Sequence, residues 1–541
     1  MSELEILDMD QATLDMNQAK EIMRSLYGEN RQIAGENYDK SLAVKCINGT
    51  FVGKETDGII AYKGIPFVGR QPVGELRWKA PVDVIPDDGV YEAYYNAKSA
   101  CQLENPEEPA SVYVQGEDCL YLNIWSPARS TYDKLPVFFY IHGGGFTAGY
   151  SYEVEFDGER VARNDVIFIT VGYRLGPLGF FSHKDLDEES QGNQGLLDQL
   201  QALKWVKENI AAFGGDPSRV TICGQSAGGM SVSSLLNSPL AEGYFSGGIM
   251  MSGGGIRPPF GGVGPWLSLE DGQRYGQQLL DFIGVKSLEE ARGVPAEVIV
   301  STGLGRWPDG KIAPMRWRPT IDGVFFTEEL RDSIIAGHGA DVPIMIGCCK
   351  GENIPKQFVG ELSSIEAFRK SAEEKYGDRA EEFLSMCDLS SEENFRNFVS
   401  GELGLCTGYT GAMAYARREA QLGRKAYTFV FDHDIPGDDA GSFHGSDMWF
   451  VFDSLGHSWR PFEGKHYDLA RQVSSYWANF VKNGDPNGKD RIGKELPEWR
   501  PFTEDEAFTI CFKDKPVKLD ESGKELKRFT QEYFLDQNTE E

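Results

Sequence analysis

The residue pattern with the clearest chemical meaning is a serine between small residues, Gly224-Gln225-Ser226-Ala227-Gly228. The apolar run before it, Val220–Cys223, predicts a strand, and the run after it, Met230–Leu236, predicts a helix. A serine on such a sharp strand-to-helix turn is exposed for nucleophilic attack on a carbonyl carbon, and small neighbours avoid clashes there. The five residues alone would also fit a glycine-rich turn with a solvated serine. The flanking strand and helix favour the nucleophile.

A second pattern could stabilise the negative charge that such an attack creates. The segment His142-Gly143-Gly144-Gly145-Phe146 directly follows a predicted strand, Leu135–Ile141. Glycines let the backbone approach a substrate closely and leave N–H groups free to donate. Attack on an ester requires such donors at the position where the oxyanion forms. A merely flexible glycine loop is the alternative, and the presence of Ser226 in the same chain argues against it.

A serine hydroxyl at neutral pH needs a general base, and the base needs an acid that orients it. For a serine on a strand-to-helix turn the expected order along the chain is serine, acid, histidine. His444 lies in a glycine-flanked loop after the predicted strand Ala426–Phe431 and is the first candidate for the base. His433 is closer to the end of that strand and is the second candidate.

The acid is expected in the loop after the preceding strand, Val342–Gly347. Glu352 lies in that loop, whereas Asp341 comes before the strand and therefore lies at the opposite edge of the sheet. On the residues alone, two interpretations of Glu352 are equally good: an acid that orients the base, or a solvated carboxylate in a loop.

Short apolar runs predict the elements that would hold these residues. Apolar runs of about 4–8 residues are typical of buried parallel strands, and they occur at Leu135–Ile141, Val166–Val171, Val220–Cys223, Gly247–Met251, Val342–Gly347 and Ala426–Phe431. Apolar residues at helical spacing predict helices over Leu196–Phe213 and Leu469–Val481. The alternation predicts an α/β fold with a mostly parallel central sheet flanked by helices.

Two long segments, 256–340 and 353–425, far exceed ordinary connections of about 4–6 residues and carry helical patterns of their own. We expect them to be helical insertions that roof the active site rather than separate domains. Residues 41–535 are expected to form one domain. Residues 1–40 are polar and acidic, with one weak amphipathic helix around 11–27, and are expected to form an N-terminal extension.

The overall charge limits the partners of the chain. The formal net charge is −29, which repels nucleic acid and disfavours anionic membrane surfaces.

No apolar run approaches the length of a membrane span, and the N-terminus lacks the basic and apolar regions of a signal peptide. We therefore expect a cytoplasmic enzyme with a small-molecule substrate. The oligomeric state is left open.

The cysteines predict neither a metal site nor another cofactor. Nine cysteines without a repeating spacing fit reduced thiols. Cys348-Cys349 near His338 lacks the spacing of a metal site, because adjacent cysteines rarely both bind one tetrahedral ion.

Together with further segments, these motifs resemble the type-B carboxylesterase and cholinesterase family. The resemblance runs from about Gly64 to Trp499. The shared segments are Gly64-Ile65-Pro66-Phe67, Pro72-Val73-Gly74 with Arg77 and Trp78, Glu117-Asp118-Cys119-Leu120-Tyr121-Leu122-Asn123-Ile124-Trp125, the segment at 142–146, Tyr173-Arg174-Leu175-Gly176, Gly192-Asn193-Gln194-Gly195-Leu196-Leu197-Asp198-Gln199, Phe213-Gly214-Gly215-Asp216-Pro217, the segment at 224–228 and Asn483-Gly484-Asp485-Pro486. The resemblance implies the α/β-hydrolase fold and hydrolysis of carboxylic esters without a cofactor.

The resemblance also implies roles for individual residues. Ser226 would be the nucleophile, Glu352 the triad acid and His444 the base. The backbone amides of the oxyanion hole would be those of Gly144, Gly145 and Ala227. Ser252 resembles a serine that supports the acid, and Asp447 resembles a second carboxylate of the site. Cys101 and Cys119 resemble a pair that forms a disulfide in secreted members; we expect them to lie close enough to bridge but to stay reduced.

The chain departs from the family pattern at three places. Gln225 stands where many members have Glu, and Gly351-Glu352-Asn353 stands where Asp-Glu-Gly is common. No choline-binding tryptophan is identifiable between Cys101 and Cys119. We expect Gln225 to donate a hydrogen bond to Asp447 and keep it ionised, with simple filling of space as the alternative.

These departures predict a preference for neutral small or aromatic esters over choline esters. Amide or lipid-ester hydrolysis by the same triad is the alternative activity. A non-catalytic binding protein is the alternative of a different class, and the complete set of Ser226, Glu352 and His444 argues against it.

Overall fold

The computed structural model describes residues 28–103, 113–256, 266–305, 313, 315–352, 364–401, 405–520 and 522–536. The predicted helix around 11–27 lies outside the described residues, as do parts of both predicted insertions and of the loop between Cys101 and Cys119. Residues 28–33 contact the domain. The Asn30 side chain donates to the carbonyl oxygens of Lys63 and Tyr95, and Ile33 N donates to Val90 O.

The centre of the fold is one large sheet of eleven strands among the described residues. In chain order these strands are β1 (Lys54–Thr56), β2 (Ile59–Pro66), β3 (Tyr121–Ser126), β4 (Leu135–Ile141), β5 (Ile167–Val171), β6 (Gly215–Gln225), β7 (Gly247–Met251), β8 (Ile344–Cys349), β9 (Ala426–Phe431), β10 (Thr509–Phe512) and β11 (Pro516–Lys518). Their spatial order is β11-β10-β9-β8-β7-β6-β4-β5-β3-β2-β1.

The middle of this sheet is parallel and its edges are antiparallel. Pairing is parallel from β5 through β4, β6, β7, β8 and β9 to β10. Strands β1, β2, β3 and β11 pair antiparallel with their neighbours. The predicted mostly parallel central sheet is therefore confirmed. Smaller sheets contain Ala43–Cys46, Asn48–Val52 and Asp87–Glu92; Ser99–Ala100 with Gln115–Gly116; and Leu267–Ser268 with Thr320–Ile321.

Helices lie between the strands and within the predicted insertions. They are α1 (Glu159–Ala162), α2 (Gly176–Gly179), α3 (Gln194–Asn209), α4 (Ala227–Leu236), α5 (Leu269–Ile283), α6 (Leu288–Arg292), α7 (Ala296–Leu304), α8 (Leu330–Ala336), α9 (Ile365–Tyr376), α10 (Ala380–Ser385), α11 (Glu392–Gly401), α12 (Thr407–Gln421), α13 (Met448–Val451), α14 (Gly464–Asn483) and α15 (Lys524–Asp536). No helix among the described residues is long and apolar enough to cross a membrane.

Both faces of the sheet are buried. Alternate side chains of β4 join two different hydrophobic clusters: Phe139 belongs to one cluster, and Phe138 and Tyr140 belong to the other. Helices α3 and α4 contribute Leu203 and Leu235 to the first cluster, and α14 contributes Trp477 to the second. Because side chains alternate along a strand, helices on both faces complete the three-layer arrangement.

The register of the parallel strands brings the carboxyl ends of β4, β6, β7 and β8 to one edge. Ile141 pairs with Gly224, Gln225 pairs with Met251, and Met251 pairs with Gly347. The loops that follow these strands carry the segment at 142–146, Ser226, Ser252 and Glu352. Ligand sites of parallel sheets form at this edge.

Candidate active site

Ser226 occupies the turn between β6 and α4 in a strained backbone conformation. Its φ is +56° and its ψ is −123°, in a region that non-glycine residues rarely adopt. The turn is held by two backbone hydrogen bonds, from Ser226 N to Met251 O at 2.8 Å and from Met230 N to Ser226 O at 3.0 Å. The side chain is therefore presented at the carboxyl edge of the sheet.

The glycines on either side of Ser226 are required by close backbone contacts. A Cβ atom on Gly228 would lie 2.0 Å from Ile141 O, and one on Gly224 would lie 2.2 Å from the carbonyl carbon of Gly228. Any side chain at these positions would separate α4 from β4 or open the turn.

The segment at 142–146 lies directly beside Ser226. A Cβ atom on Gly143 would lie 3.0 Å from Ser226 Cβ. Gly144 and Gly145 have φ values of +101° and +63°, which only glycine adopts easily. Within the described part of the chain, the backbone amides of Gly144, Gly145 and Ala227 have no recorded hydrogen-bond acceptor. Three donors are thus left free next to the serine.

His444 and Glu352 come together beside this turn, as predicted. His444 Nδ1 lies 3.4 Å from Glu352 Oε1. The Glu352 side chain is 15% exposed and the His444 side chain is 48% exposed. The carboxylate is therefore buried behind a ring that remains open to a substrate.

One backbone amide connects Glu352 with Ser252. Cys349 N donates to Glu352 Oε1 at 3.0 Å and to Ser252 Oγ at 3.4 Å. Ser252 has a φ of +49°, and its own amide donates to Gly347 O at 2.8 Å. Ser252 thus lies close to the carboxylate, without a recorded direct hydrogen bond to it in the described structure.

The surroundings of His444 act on its pKa in opposite directions. Burial disfavours the imidazolium and lowers the pKa. The hydrogen bond and the negative charge of Glu352, together with the charge of Asp447, outweigh burial and raise the pKa above its ordinary value.

Gln225 contacts His444 and not Asp447, which corrects our expectation. The Gln225 amide nitrogen, Nε2, lies 3.3 Å from His444 Nε2. Both oxygens of Asp447 are buried, and no nitrogen or oxygen donor among the described residues satisfies them; the Cys349 thiol nearby is only a weak donor. Gln225 ends β6, whereas Asp447 directly precedes α13, so the two side chains come from different elements.

Asp447 is a buried carboxyl group with an unusual pKa. Its exposure is 1%. Burial and the nearby negative charge of Glu352 raise its pKa to about 7, and the Cys349 thiol and His444 oppose this only in part. Burial thus works against the ionised form that we expected Gln225 to maintain.

The alternative candidates for base and acid lie elsewhere. His433 Nδ1 lies 3.7 Å from Asp514 Oδ1, and its ring contacts His466 at a centroid distance of 5.2 Å. Asp341 is exposed and lies 3.7 Å from the Arg424 side chain. Neither residue is recorded in contact with Glu352 or His444 in the described structure.

Comparison with known proteins identifies the family. The model of the carboxylesterase family matches residues 40–530. The chain belongs to the carboxylesterase family. It is a serine ester hydrolase of the α/β-hydrolase fold, as the sequence predicted.

The carboxylesterase resembles curated relatives over most of its length. It is 30% identical over 478 residues to the fumonisin B1 esterase of Sphingopyxis macrogoltabida, covering 84% of each chain. It is 29% identical over 501 residues to the para-nitrobenzyl esterase of Bacillus subtilis (strain 168), covering 89% of this chain and 96% of that one.

Solved structures of esterases are also similar to this chain over most of its length. A PNB esterase structure matches with a TM-score of 0.74 at 29% identity, covering 91% of this chain and 100% of that one. The Geobacillus stearothermophilus carboxylesterase EST55 matches with the same TM-score, identity and coverage.

The nine cysteines of this carboxylesterase all lie within the described residues, and none of them forms a disulfide. Cys101 and Cys119 are both buried and line one small pocket together with Arg77 and Arg174, without a bond between them. Free thiols are the state that a reducing compartment maintains, and a cytoplasmic location stays a prediction. No cluster of three or more His, Cys, Asp or Glu side chains in the described ranges is arranged to hold a metal ion.

Sequence reasoning missed the contact between Gln225 and His444. The two residues are 219 positions apart, and their contact depends on how a strand end and a distant loop meet. The only signal in the sequence was the amide itself, since Gln225 stands where the family often has Glu.

Proposed function

We propose that this carboxylesterase hydrolyses neutral carboxylic esters through a covalent acyl-enzyme on Ser226, with His444 as general base and Glu352 as the acid that orients it. The 3.4 Å contact between His444 Nδ1 and Glu352 Oε1 carries the proposal. The contact joins two residues that are 92 positions apart in the sequence. Together with Ser226 they follow the chain order Ser, Glu, His that is expected for this fold.

The proposed reaction starts at Ser226 Oγ. His444 Nε2 takes the hydroxyl proton while Oγ forms a bond to the carbonyl carbon of the ester. Ser226 makes no recorded hydrogen bond to His444 within the described structure, and such catalytic contacts often shorten only when substrate binds. The imidazolium then protonates the alcohol oxygen, the ester C–O bond breaks, and the alcohol leaves. Water repeats the sequence to release the acid.

The free amides of Gly144, Gly145 and Ala227 are proposed to bind the oxyanion. Their hydrogen bonds form where charge develops in the transition state, and removal of one such donor costs about 3–4 kcal/mol. Glycine at 144 and 145 is needed for this role because both positions have positive φ.

The preference for neutral esters now rests on a different reason from the one expected from the sequence. Gln225 is uncharged, and Asp447 is buried with its pKa raised to about 7. Neither side chain therefore offers an exposed negative charge to a quaternary ammonium group. Small and aromatic neutral esters are the proposed substrates.

The insertions are proposed to roof this site, within one domain that spans 41–535. Trp266 of the first insertion packs against Phe146 at a ring-centroid distance of 5.9 Å. A Cβ atom on Gly408 of the second insertion would lie 3.7 Å from Glu352 Oε2. These contacts bring each insertion next to a different part of the site.

The test is covalent labelling combined with removal of the nucleophile. A fluorophosphonate should label Ser226, identified by peptide mass, and Ser226→Ala should abolish the label and lower kcat on p-nitrophenyl butyrate by roughly 10^4-fold or more. Ser218→Ala, on an exposed turn whose hydroxyl bonds Asp216, is the control and should keep wild-type labelling and rate. Labelling of another serine would refute the proposal.

A further inference from the structure

Gln225 faces the nitrogen of His444 that has to receive the serine proton. Its amide nitrogen lies 3.3 Å from His444 Nε2, at the end of β6 and one residue before Ser226. An amide nitrogen only donates hydrogen bonds. It can therefore bond Nε2 only when that nitrogen carries a lone pair, which is the neutral, basic form of the ring. Because Nε2 has one lone pair, this bond belongs to the resting enzyme and is released when the Ser226 hydroxyl donates to the same nitrogen.

The other groups around His444 fix where the ring proton lies. Glu352 Oε1 faces Nδ1 at 3.4 Å and accepts a hydrogen bond from the Nδ1–H group. Asp447 contributes negative charge from the loop that also carries His444, and the Cys349 thiol of β8 lies against Asp447. Both carboxyl groups favour the imidazolium. Among the groups found around the ring in the described structure, Gln225 is the one that favours the neutral form.

We propose that Gln225 is a positioning residue that holds His444 in its neutral form, with the proton on Nδ1, and thereby extends ester hydrolysis to lower pH. This inference rests on the proposed triad and adds to it a residue that acts through His444.

The same contact directs the proton after attack. Once His444 Nε2 has taken the proton from Ser226, two donors face each other across the contact with Gln225, and the ring no longer has an acceptor there. The proton is then given to the departing alcohol oxygen rather than shared with the protein. A carboxylate at position 225 would instead accept a hydrogen bond from the imidazolium and stabilise that charged form.

Two substitutions of Gln225 test the proposal through the pH dependence of kcat/KM. Gln225→Met keeps the size of the side chain and removes the donor, so the pH midpoint should rise by about half a pH unit to one pH unit. Gln225→Glu places a negative charge beside the ring and should raise the midpoint further, by about 1 to 3 pH units. Fluorophosphonate labelling gives the fraction of intact sites in each variant.

A second glutamine–histidine pair supplies the matched control. Gln277 Oε1 lies 3.2 Å from His183 Nε2, outside the site. Gln277→Met and Gln277→Glu change the same residue type beside a histidine, and both should keep the wild-type midpoint.

The outcomes separate this inference from the triad itself. A higher midpoint in both Gln225 variants, with labelling at Ser226 retained, supports it. A midpoint equal to wild type in Gln225→Met, which removes the donor without adding a charge, overturns it whatever the midpoint of Gln225→Glu. Failure of the wild-type enzyme to label at Ser226 would instead refute the proposed triad.

Discussion

The two ring nitrogens of His444 face groups that have opposite effects on the protonation of the ring. Nδ1 faces the Glu352 carboxylate, which favours the imidazolium, and Nε2 faces the Gln225 amide, which favours the neutral ring. Near the ring lies Asp447, whose own pKa is raised to about 7 by burial and by the charge of Glu352. The pH dependence of the enzyme is therefore set by the balance of three neighbours.

At the residue scale we predict the direction in which Glu352 moves the pH profile. The neutral form of His444 is the proposed base, so kcat/KM should rise with pH as the ring loses its proton, with a midpoint above the ordinary value of 6.5. Glu352→Gln removes the charge that raises this pKa and leaves the burial that lowers it. The midpoint should fall, and kcat should drop by roughly 10^4-fold.

A histidine–glutamate pair outside the site provides the control. His338 Nδ1 lies 2.6 Å from Glu328 Oε1, and Glu328→Gln should change neither the midpoint nor kcat. If Glu352→Gln retained the wild-type midpoint, the acid that orients His444 would have to be another residue.

At the element scale, the serine turn depends on how closely α4 approaches β4. The contact of Gly228 with Ile141 O leaves no space for a side chain, and the register between β4 and β6 fixes that distance. The strained φ of Ser226 is maintained because backbone hydrogen bonds to Met251 and Met230 hold both of its ends.

We predict that Gly228→Ala destabilises the fold through this contact. A Cβ atom 2.0 Å from a backbone oxygen forces α4 away from β4, and overpacking of this kind costs about 1–3 kcal/mol or more. The urea midpoint of unfolding should fall together with the activity. Gly464→Ala is the control: it lies at the start of α14 with no atom within 4 Å of the added Cβ. Equal urea midpoints for the two variants would contradict the prediction.

The sequence predicted elements better than it predicted contacts between them. Strands β4, β7 and β9 begin and end at the predicted residues, because each is a mostly apolar run with side chains buried on both faces. Strand β6 starts earlier than predicted, at Gly215, because that residue pairs with Leu135 across an irregularity in register. Strand β8 covers Ile344–Cys349 rather than Val342–Gly347, since the adjacent cysteines continue its apolar run.

The predicted helices also form, with ends set by left-handed glycines. Helix α3 begins at Gln194, and its last predicted turn, Ile210–Phe213, tightens into a 3-10 helix before Gly214. Helix α14 spans Gly464–Asn483 and is longer at both ends than the predicted Leu469–Val481; it stops at Gly484. Local sequence determines these ends. The partner of Gln225 depends on tertiary packing, and for that reason the prediction that it bonds Asp447 was wrong.

At the scale of the whole molecule, the net charge and the local site act differently on a charged substrate. The chain carries a formal net charge of −29, which attracts cations over long distances at low salt. Two side chains of the proposed site offer no exposed negative charge to such a cation, since Asp447 is buried and Gln225 is neutral. Salt screens the long-range attraction and leaves the site unchanged, because the Debye length falls from about 10 Å at 0.1 M to about 3 Å at 1 M.

We therefore predict that salt reveals the preference of the site for neutral esters. Acetylcholine and its uncharged isostere 3,3-dimethylbutyl acetate differ in a single charge, and kcat/KM for each is measured from low salt to about 1 M. The value for acetylcholine should fall with salt, the value for the isostere should stay nearly constant, and at 1 M the isostere should be several-fold better, because a buried ammonium without a partner is costly. Gln225→Glu should move the high-salt ratio toward acetylcholine by adding a local charge. An acetylcholine advantage that persists at 1 M salt in the wild-type enzyme would contradict the prediction and would mean that the site contains a cation-binding group other than Asp447 and Gln225.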